Sequence, residues 1–115
     1  MAMEMSEAHS EGVAELELKG RIDSTTAGGL QERMSQLVAS GCKGLIVDFR
    51  EVMYISSAGF RALLIAAQLG ESRRCAVALC GVVGEVRRMF EMAAFDQVFT
   101  ILPTREECAA HLAGR

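Results

Sequence analysis

The chain has 115 residues, of which 50% are hydrophobic, and its formal net charge is −3 at pH 7. This length and composition predict one domain with a sizeable core and exclude a disordered chain. The negative net charge argues against a nucleic-acid-binding module, which usually presents a strong basic patch. No apolar run approaches the roughly 18–20 residues that cross a bilayer, and the acidic N-terminus lacks the basic region of a signal peptide. We therefore expect a cytoplasmic protein without membrane insertion and without direct contact to nucleic acid.

The N-terminal third predicts two strands and a helix. Strict alternation over residues 14–19 predicts a half-exposed strand that Gly20 ends, and residues 1–8 are its candidate partner across a turn near residues 10–12. The hydroxyl residues 24–26 are suited to cap a helix. Its apolar face is formed by Leu30, Met34, Leu37 and Val38, and Ser40 and Gly41 stop it.

The middle of the chain predicts a buried strand followed by a helix. The nearly continuous apolar run over residues 45–49 is typical of a strand covered on both faces. After a short link, a helix is expected from Ser56 or Ser57 to about Leu69, with Gly70 as its stop. Its core-facing side is predicted to consist of Phe60, Leu63, Leu64 and Ala67.

The C-terminal part predicts two more strands, each followed or preceded by a helix. Residues 76–80 and 97–100 are the strands, and Val86, Met89, Phe90 and Ala93 mark a short amphipathic helix between them. A capping box that begins at Thr104 starts a last helix, which buries Cys108 and Leu112. The order predicts an α/β fold with a mixed, mostly parallel sheet of about five strands and about four helices.

Residues that carry catalytic or metal chemistry are sparse. The four cysteines (Cys42, Cys75, Cys80 and Cys108) form no C-x-x-C pair, and both histidines lie near the chain ends, so we expect buried reduced thiols and no metal site. No Ser-His-Asp set lies within plausible reach, which argues against an enzyme. Residues 81–84 (GVVG) leave open a small nucleotide-binding or catalytic domain, although they lack the third glycine and the lysine, and an ordinary turn is favoured.

Two segments of the chain resemble the STAS domain family, whose best-known soluble members are bacterial anti-sigma factor antagonists. One is Gly20-Arg21-Ile22-Asp23 followed by residues 24–27, STTA, which is similar to the first strand-to-helix loop of the family. The other runs from residues 47–49, VDF, to residues 54–60, YISSAGF, and resembles the family's phosphorylation segment. The resemblance covers nearly the whole chain and implies a single STAS domain over residues 1–115.

The resemblance implies partner switching in transcription regulation. In anti-sigma factor antagonists the phosphorylated serine follows the motif aspartate, and that position is Ser57 here. The chain departs from the pattern at Ser56, which replaces the aspartate, and at Ala58, which replaces a second hydroxyl residue. The implied partners are an anti-sigma factor that is also a serine kinase of histidine-kinase-like ATPase fold, and a metal-dependent serine phosphatase. No cofactor is implied. The alternative is a STAS module of another assembly, such as a lipid-transport complex or a signalling scaffold, without reversible phosphorylation.

The position predicted for Ser57 is also chemically suited to a phosphate, although position and residue type alone favour an ordinary cap and only the resemblance favours the phosphoacceptor. A helix N-terminus carries partial positive charge and unpaired N–H groups, so a hydroxyl there is a good place to hold a phosphate. The alternative is an ordinary capping serine whose oxygen accepts a backbone N–H.

The remaining partner-binding candidates surround this serine. Asp23 is expected at the same sheet edge as Ser57 and, by the resemblance, contributes to partner contacts; the alternative is a helix-capping or turn aspartate. Gly59 allows either close approach by a partner or packing of the helix start. The full candidate set is Asp23, Ser56, Ser57, Gly59, Arg61, Ile65 and Gln68, of which the last three form a stripe with a mild apolar centre and a polar rim. Asp48, within an apolar strand, is interpreted as structural support.

Overall fold

The structure, a computed structural model, describes residues 3–114. The elements in chain order are β1 (Glu4–Ser10), β2 (Val13–Ile22), α1 (Ala27–Ala39), β3 (Gly44–Ile55), α2 (Ser57–Arg73), β4 (Ala76–Cys80), α3 (Gly84–Met92), β5 (Thr100–Leu102) and α4 (Arg105–Ala113). The strands form one sheet in the order β1-β2-β3-β4-β5, in which β1 is antiparallel to β2 and the other neighbours are parallel. The predicted fold class, α/β with a mixed five-stranded sheet and four helices, is confirmed.

The two faces of the sheet are covered by different helices. Leu16 and Val47 belong to the larger apolar cluster, which packs against α1, α2 and α3. Ile46 and Ala78 point to the opposite face and pack with Cys108 and Leu112 of α4. Successive strand residues alternate between faces, which explains why the nearly continuous apolar run of β3 contributes to both clusters.

β2 and β3 are longer than the sequence pattern predicts. β3 continues through the predicted link to Ile55, and β2 passes through Gly20 to end at Ile22. The prediction that Gly20 ends its strand is wrong. Gly20 has a φ of 113° and adjoins a shift in the pairing of β2 with β3, so it accommodates an irregularity inside the strand.

Gly70 lies within α2 and does not stop it, so that prediction is also wrong. The helix continues to Arg73, and Arg74 adopts the left-handed conformation that ends it. A Cβ atom on residue 70 would lie 2.2 Å from the carbonyl oxygen of Cys75. Glycine is therefore needed there because the chain turns back closely against the helix before it enters β4.

The C-terminal predictions hold in part. Residues 97–99 lie in a turn, and β5 spans Thr100–Leu102 instead of residues 97–100. Phe99 is buried against Phe90 of α3. This apolar residue, which suggested a strand, therefore packs into the core from the segment that precedes β5. Ala93 is exposed at the end of α3 and is not part of its buried face. The capping residue of α4 is Thr104, as predicted, and its hydroxyl accepts a hydrogen bond from the amide of Glu107 at 3.1 Å.

Other predicted elements agree with the structure. The turn at Glu11 and Gly12 joins β1 to β2, although residues 1–2 of the predicted first strand lie outside the described residues. The four α1 residues predicted to face the core are buried.

The prediction of four buried reduced thiols holds for three cysteines. Cys75, Cys80 and Cys108 are buried free thiols, whereas Cys42 is only half-buried.

Candidate functional site

The ends of β2 and β3 bring the two family-like segments together. Ile22 pairs with Ile55 in the parallel register, and the Ser56 amide donates to the Ile22 carbonyl oxygen at 2.8 Å. Asp23 and Ser57 follow these paired residues, so the loop before α1 and the first turn of α2 lie at the same edge of the sheet.

The two serines at the start of α2 differ in their environment. Ser56 is the N-cap residue, with extended backbone, and its hydroxyl oxygen accepts from the amide of Gly59 at 3.4 Å. Ser57 is the first helical residue, and its side chain is exposed. The capping role that was the alternative for Ser57 is thus performed by Ser56, and the Ser57 hydroxyl is open to solvent.

Gly59 is buried beneath the first turn of α2. A Cβ atom at this position would lie 2.7 Å from both Ile22 Cγ2 and Ile55 Cγ1. The glycine therefore allows the helix to approach the ends of the two strands closely, which favours the packing alternative for this residue.

The Asp23 carboxylate is engaged within its own loop. Its Oδ1 accepts hydrogen bonds from the Thr25 hydroxyl at 2.7 Å and from the Thr25 amide at 2.9 Å. These bonds, the hydroxyl contact first, hold the pKa of Asp23 below its ordinary value. The Thr26 hydroxyl accepts from the Asp23 amide and donates to the carbonyl oxygen of Arg21, each at 2.9 Å. Asp23 thus lies at the predicted edge, with the bonding pattern of a turn aspartate.

A surface depression of about 310 Å³ adjoins Ser57. Its lining consists of Ser24, Ala27, Gly28 and Gln31 from the α1 side, and of Ser57, Ala58 and Arg61 from α2. Sequence reasoning missed Ser24, Gly28 and Gln31, because their proximity to Ser57 depends on how α1 packs against α2. A second depression of about 590 Å³ shares Gly28 and Gln31 with the first and reaches Leu69 farther along α2.

The predicted stripe on α2 follows the helix away from Ser57. Arg61 and Gln68 are exposed, and Ile65 between them is half-buried. Within residues 3–114, Arg61 is not among the arginines that form ion pairs with carboxylates. Arg21, at the end of β2, lies over the Tyr54 ring at 4.4 Å.

Two further sequence candidates have structural explanations away from Ser57. Asp48 is buried, and its carboxylate accepts from the amide and Nε of Arg50, both at 3.0 Å, as expected of structural support. At Gly81, with a φ of 69°, a Cβ atom would lie 2.9 Å from the Arg50 amide nitrogen. Residues 81–84 therefore form a turn that packs tightly on β3, which favours the ordinary-turn alternative.

Residues 3–114 contain neither a cluster of metal-binding side chains nor a membrane-spanning helix. No group of three or more His, Cys, Asp or Glu residues in this range is arranged to hold a metal ion. None of the helices described there has the length and apolar character needed to cross a bilayer.

Comparison with known proteins agrees with this geometry. The sequence pattern of the STAS domain matches residues 5–108. BtrV of Bordetella bronchiseptica, a proposed anti-sigma factor antagonist, is 31% identical over 93 residues, which are 81% of this chain and 80% of BtrV. The anti-sigma-F factor antagonist RsfB of Mycobacterium tuberculosis is 29% identical over 108 residues, or 93% of this chain and 87% of RsfB.

Solved structures show the same fold. The anti-sigma factor antagonist SpoIIAA in its unphosphorylated form superposes with a TM-score of 0.81 at 17% identity, covering 97% of this chain and 98% of SpoIIAA. SpoIIAA of Bacillus in its phosphorylated form has a TM-score of 0.71 at 15% identity, covering 95% of this chain and 99% of SpoIIAA. The match over residues 5–108 and the identity to BtrV lead to one conclusion: this chain belongs to the STAS domain family.

Proposed function

We propose that this protein, a single STAS domain over residues 1–115, is a cytoplasmic anti-sigma factor antagonist that works by partner switching. In the unmodified state it binds an anti-sigma factor that is also a serine kinase, and phosphorylation of Ser57 releases it. The observation that supports this most directly is the exposed Ser57 hydroxyl at the first position of α2, beside a separate serine that caps the helix. The names of BtrV, RsfB and SpoIIAA support the same role, and SpoIIAA is known in both phosphorylated and unphosphorylated forms.

The chemistry is a phosphoryl transfer in which this protein is the substrate. The Ser57 oxygen attacks the γ-phosphorus of ATP, the bond from that phosphorus to the β–γ bridging oxygen breaks, ADP leaves, and the hydroxyl proton passes to a base on the kinase. The proposed kinase has a histidine-kinase-like ATPase fold. A metal-dependent phosphatase removes the phosphate. Its activated water attacks the same phosphorus, the bond from phosphorus to the Ser57 oxygen breaks, and the hydroxyl is restored with release of inorganic phosphate.

Modification changes binding without unfolding the domain. A phosphate on Ser57 adds about −1.5 to −2 charges at pH 7. The positive end of the α2 dipole favours that charge, by about 0.3–1 kcal/mol at an exposed position. A partner surface that must desolvate the phosphate, or that is acidic, disfavours it strongly, and about 1.4 kcal/mol suffices for a tenfold loss of affinity.

The proposed docking face combines the edge at Ser57 with the stripe along α2. Its residues are Asp23, Ser56, Ser57, Arg61, Ile65 and Gln68, while Gly59 supports the face from below. Ile65 supplies apolar area, and Arg61 and Gln68 are the polar groups at its border, an arrangement typical of the core and rim of an interface.

Paired baits test the proposal. Ser57→Ala and Ser57→Asp variants are used to capture proteins from an extract of the native host cells, and captured proteins are identified by mass spectrometry. An ATPase of histidine-kinase-like fold that binds the alanine variant and not the aspartate variant is the expected result. The purified ATPase is then expected to transfer phosphate from ATP to the wild-type protein and not to Ser57→Ala.

Two outcomes would overturn the proposal. Equal binding of both variants to that ATPase would contradict the proposal that negative charge at position 57 releases the partner. Capture of membrane transport subunits or a signalling scaffold by both baits, with no phosphate transfer to Ser57, would favour the alternative in which the STAS module serves another assembly.

A further inference from the structure

Arg61 is the only charged residue among those that line the depression next to Ser57. We propose that Arg61 binds the phosphate of phosphorylated Ser57, so that modification both adds negative charge and withdraws this guanidinium from the docking face. The inference rests on the proposed function in taking Ser57 as the modified residue. It goes further in assigning a phosphate-binding residue and in specifying the charge of the partner surface.

The spacing of the two residues allows this contact. Ser57 and Arg61 are four positions apart in α2, so their side chains lie on the same face of the helix with Cβ atoms about 5–6 Å apart. The acidic group lies N-terminal to the basic one, which is the favourable order for such a pair. A guanidinium presents a planar fork of N–H donors that matches two phosphate oxygens, which an ammonium group does not.

Neighbouring charges leave Arg61 available for this role. No carboxylate within residues 3–114 forms an ion pair with it, although Glu32 lines the adjoining depression. The Asp23 carboxylate accepts two hydrogen bonds from Thr25, and Arg21 lies over the Tyr54 ring. Apart from Arg61, the lining of the depression is uncharged.

The pairing determines how the charge of the docking face changes. Before modification the lining carries one positive charge, on Arg61, so this part of the docking face best fits an acidic patch on the partner, whereas Asp23, the other charged residue of the face, lies outside the lining. After modification the phosphate contributes about −1.5 to −2 charges at pH 7, and the lining becomes net negative by roughly 0.5 to 1 charge. The same acidic patch is then repelled, and the guanidinium that contacted it is engaged within the protein.

Phosphorus NMR on the protein with phosphoserine installed at position 57 during synthesis tests the contact without any kinase. The second pKa of phosphoserine is about 6, and a nearby guanidinium favours the dianion and lowers that pKa. Replacement by Arg61→Gln is therefore expected to raise the titration midpoint by about 0.3–0.7 pH unit at low salt. Arg61→Lys is expected to give an intermediate midpoint.

Arg73→Gln is the matched control, since this exposed arginine lies 16 positions farther along the same helix, about 24 Å from Ser57. It is expected to leave the midpoint unchanged, and 1 M salt is expected to reduce the effect of Arg61→Gln. Equal midpoints for the wild-type protein and Arg61→Gln at low salt would overturn the inference. That result would leave the proposed switch intact, because the switch is tested separately by the binding of the Ser57 variants.

Discussion

The backbone amide of Ser56 and the carbonyl oxygen of Ile22 are joined by a 2.8 Å hydrogen bond that crosses from the start of α2 to the end of β2. Beneath it, Ile22 and Ile55 occupy the space that any side chain at Gly59 would need. The position of the Ser57 hydroxyl is therefore set by strand pairing and by a close helix-to-sheet contact, and it does not depend on a flexible loop.

The first prediction is that Ser56 and Ser57 contribute differently to the stability of the fold. Ser56→Ala removes the side-chain acceptor of the Gly59 amide and is expected to lower the free energy of unfolding by about 0.5–1 kcal/mol, toward the low end for cap residues because the bond is 3.4 Å long. Ser57→Ala, at an exposed position without the capping bond, is expected to change it by less than about 0.5 kcal/mol. Urea denaturation measures both values, and an equal or larger loss in Ser57→Ala would contradict this division of roles.

The second prediction concerns Gly59. Gly59→Ala places a methyl group 2.7 Å from side-chain atoms of Ile22 and Ile55, and the resulting overpacking is expected to cost about 1–3 kcal/mol of unfolding free energy. Gly29→Ala is the matched control, because this helical glycine in α1 is exposed and has nothing within 4 Å of the added atom. It is expected to stabilise the protein by about 0.5–1 kcal/mol. If both variants gained stability in urea denaturation, the tight contact beneath α2 would be refuted.

The element order of this fold was predictable because its signals are local. Alternation in β2 and the apolar run in β3 specify strands, and the hydroxyl at Thr104 specifies the start of α4. Element ends were less predictable, because glycine has several uses. Gly20 allows an irregularity inside a strand, and Gly70 allows the close approach of Cys75, whereas the sequence pattern alone indicates a stop at both.

The candidate site was predictable where it follows from helical spacing or from parallel strand order, as for the sheet edge that Asp23 shares with Ser57. Ser56, Ser57 and Arg61 are neighbours in one segment, so their arrangement on α2 follows from helical spacing. Ser24 and Gln31 line the same depression only because α1 packs beside α2, and no periodicity within a single helix reveals that contact.

The third prediction uses the buried thiol of Cys75. Burial raises the pKa of Cys75 from 9.0 to about 11, so this thiol keeps its proton in the folded state at pH values where the unfolded chain loses it. The folded state then binds more protons, and stability present below about pH 9 is lost as pH rises toward 11, by up to about 1.4 kcal/mol per pH unit. Urea denaturation across pH 8–11 measures this slope.

Cys75→Ala provides the control for that slope. The variant is expected to have a shallower decline in unfolding free energy between pH 9 and 11, whatever its stability at neutral pH. Thiol alkylation gives an independent readout at pH 8, where half-buried Cys42 is expected to react well before Cys75. A decline of equal steepness in Cys75→Ala, or faster alkylation of Cys75 than of Cys42, would contradict the assignment.

The last prediction tests the stripe on α2 against the anti-sigma kinase that the paired baits identify. Ile65→Ala removes apolar area at the centre of the proposed interface and is expected to weaken binding of the unphosphorylated protein about tenfold, as measured by calorimetry. Met92→Ala is the control, because Met92 is also a large apolar residue, 87% exposed at the end of α3, and lies outside the proposed docking face. It is expected to bind with unchanged affinity. Since Ile65 is half-buried, urea denaturation must show that the variant remains fully folded under the binding conditions. Unchanged affinity in a folded Ile65→Ala variant would remove this residue from the interface and restrict docking to the region around Ser57 and Arg61.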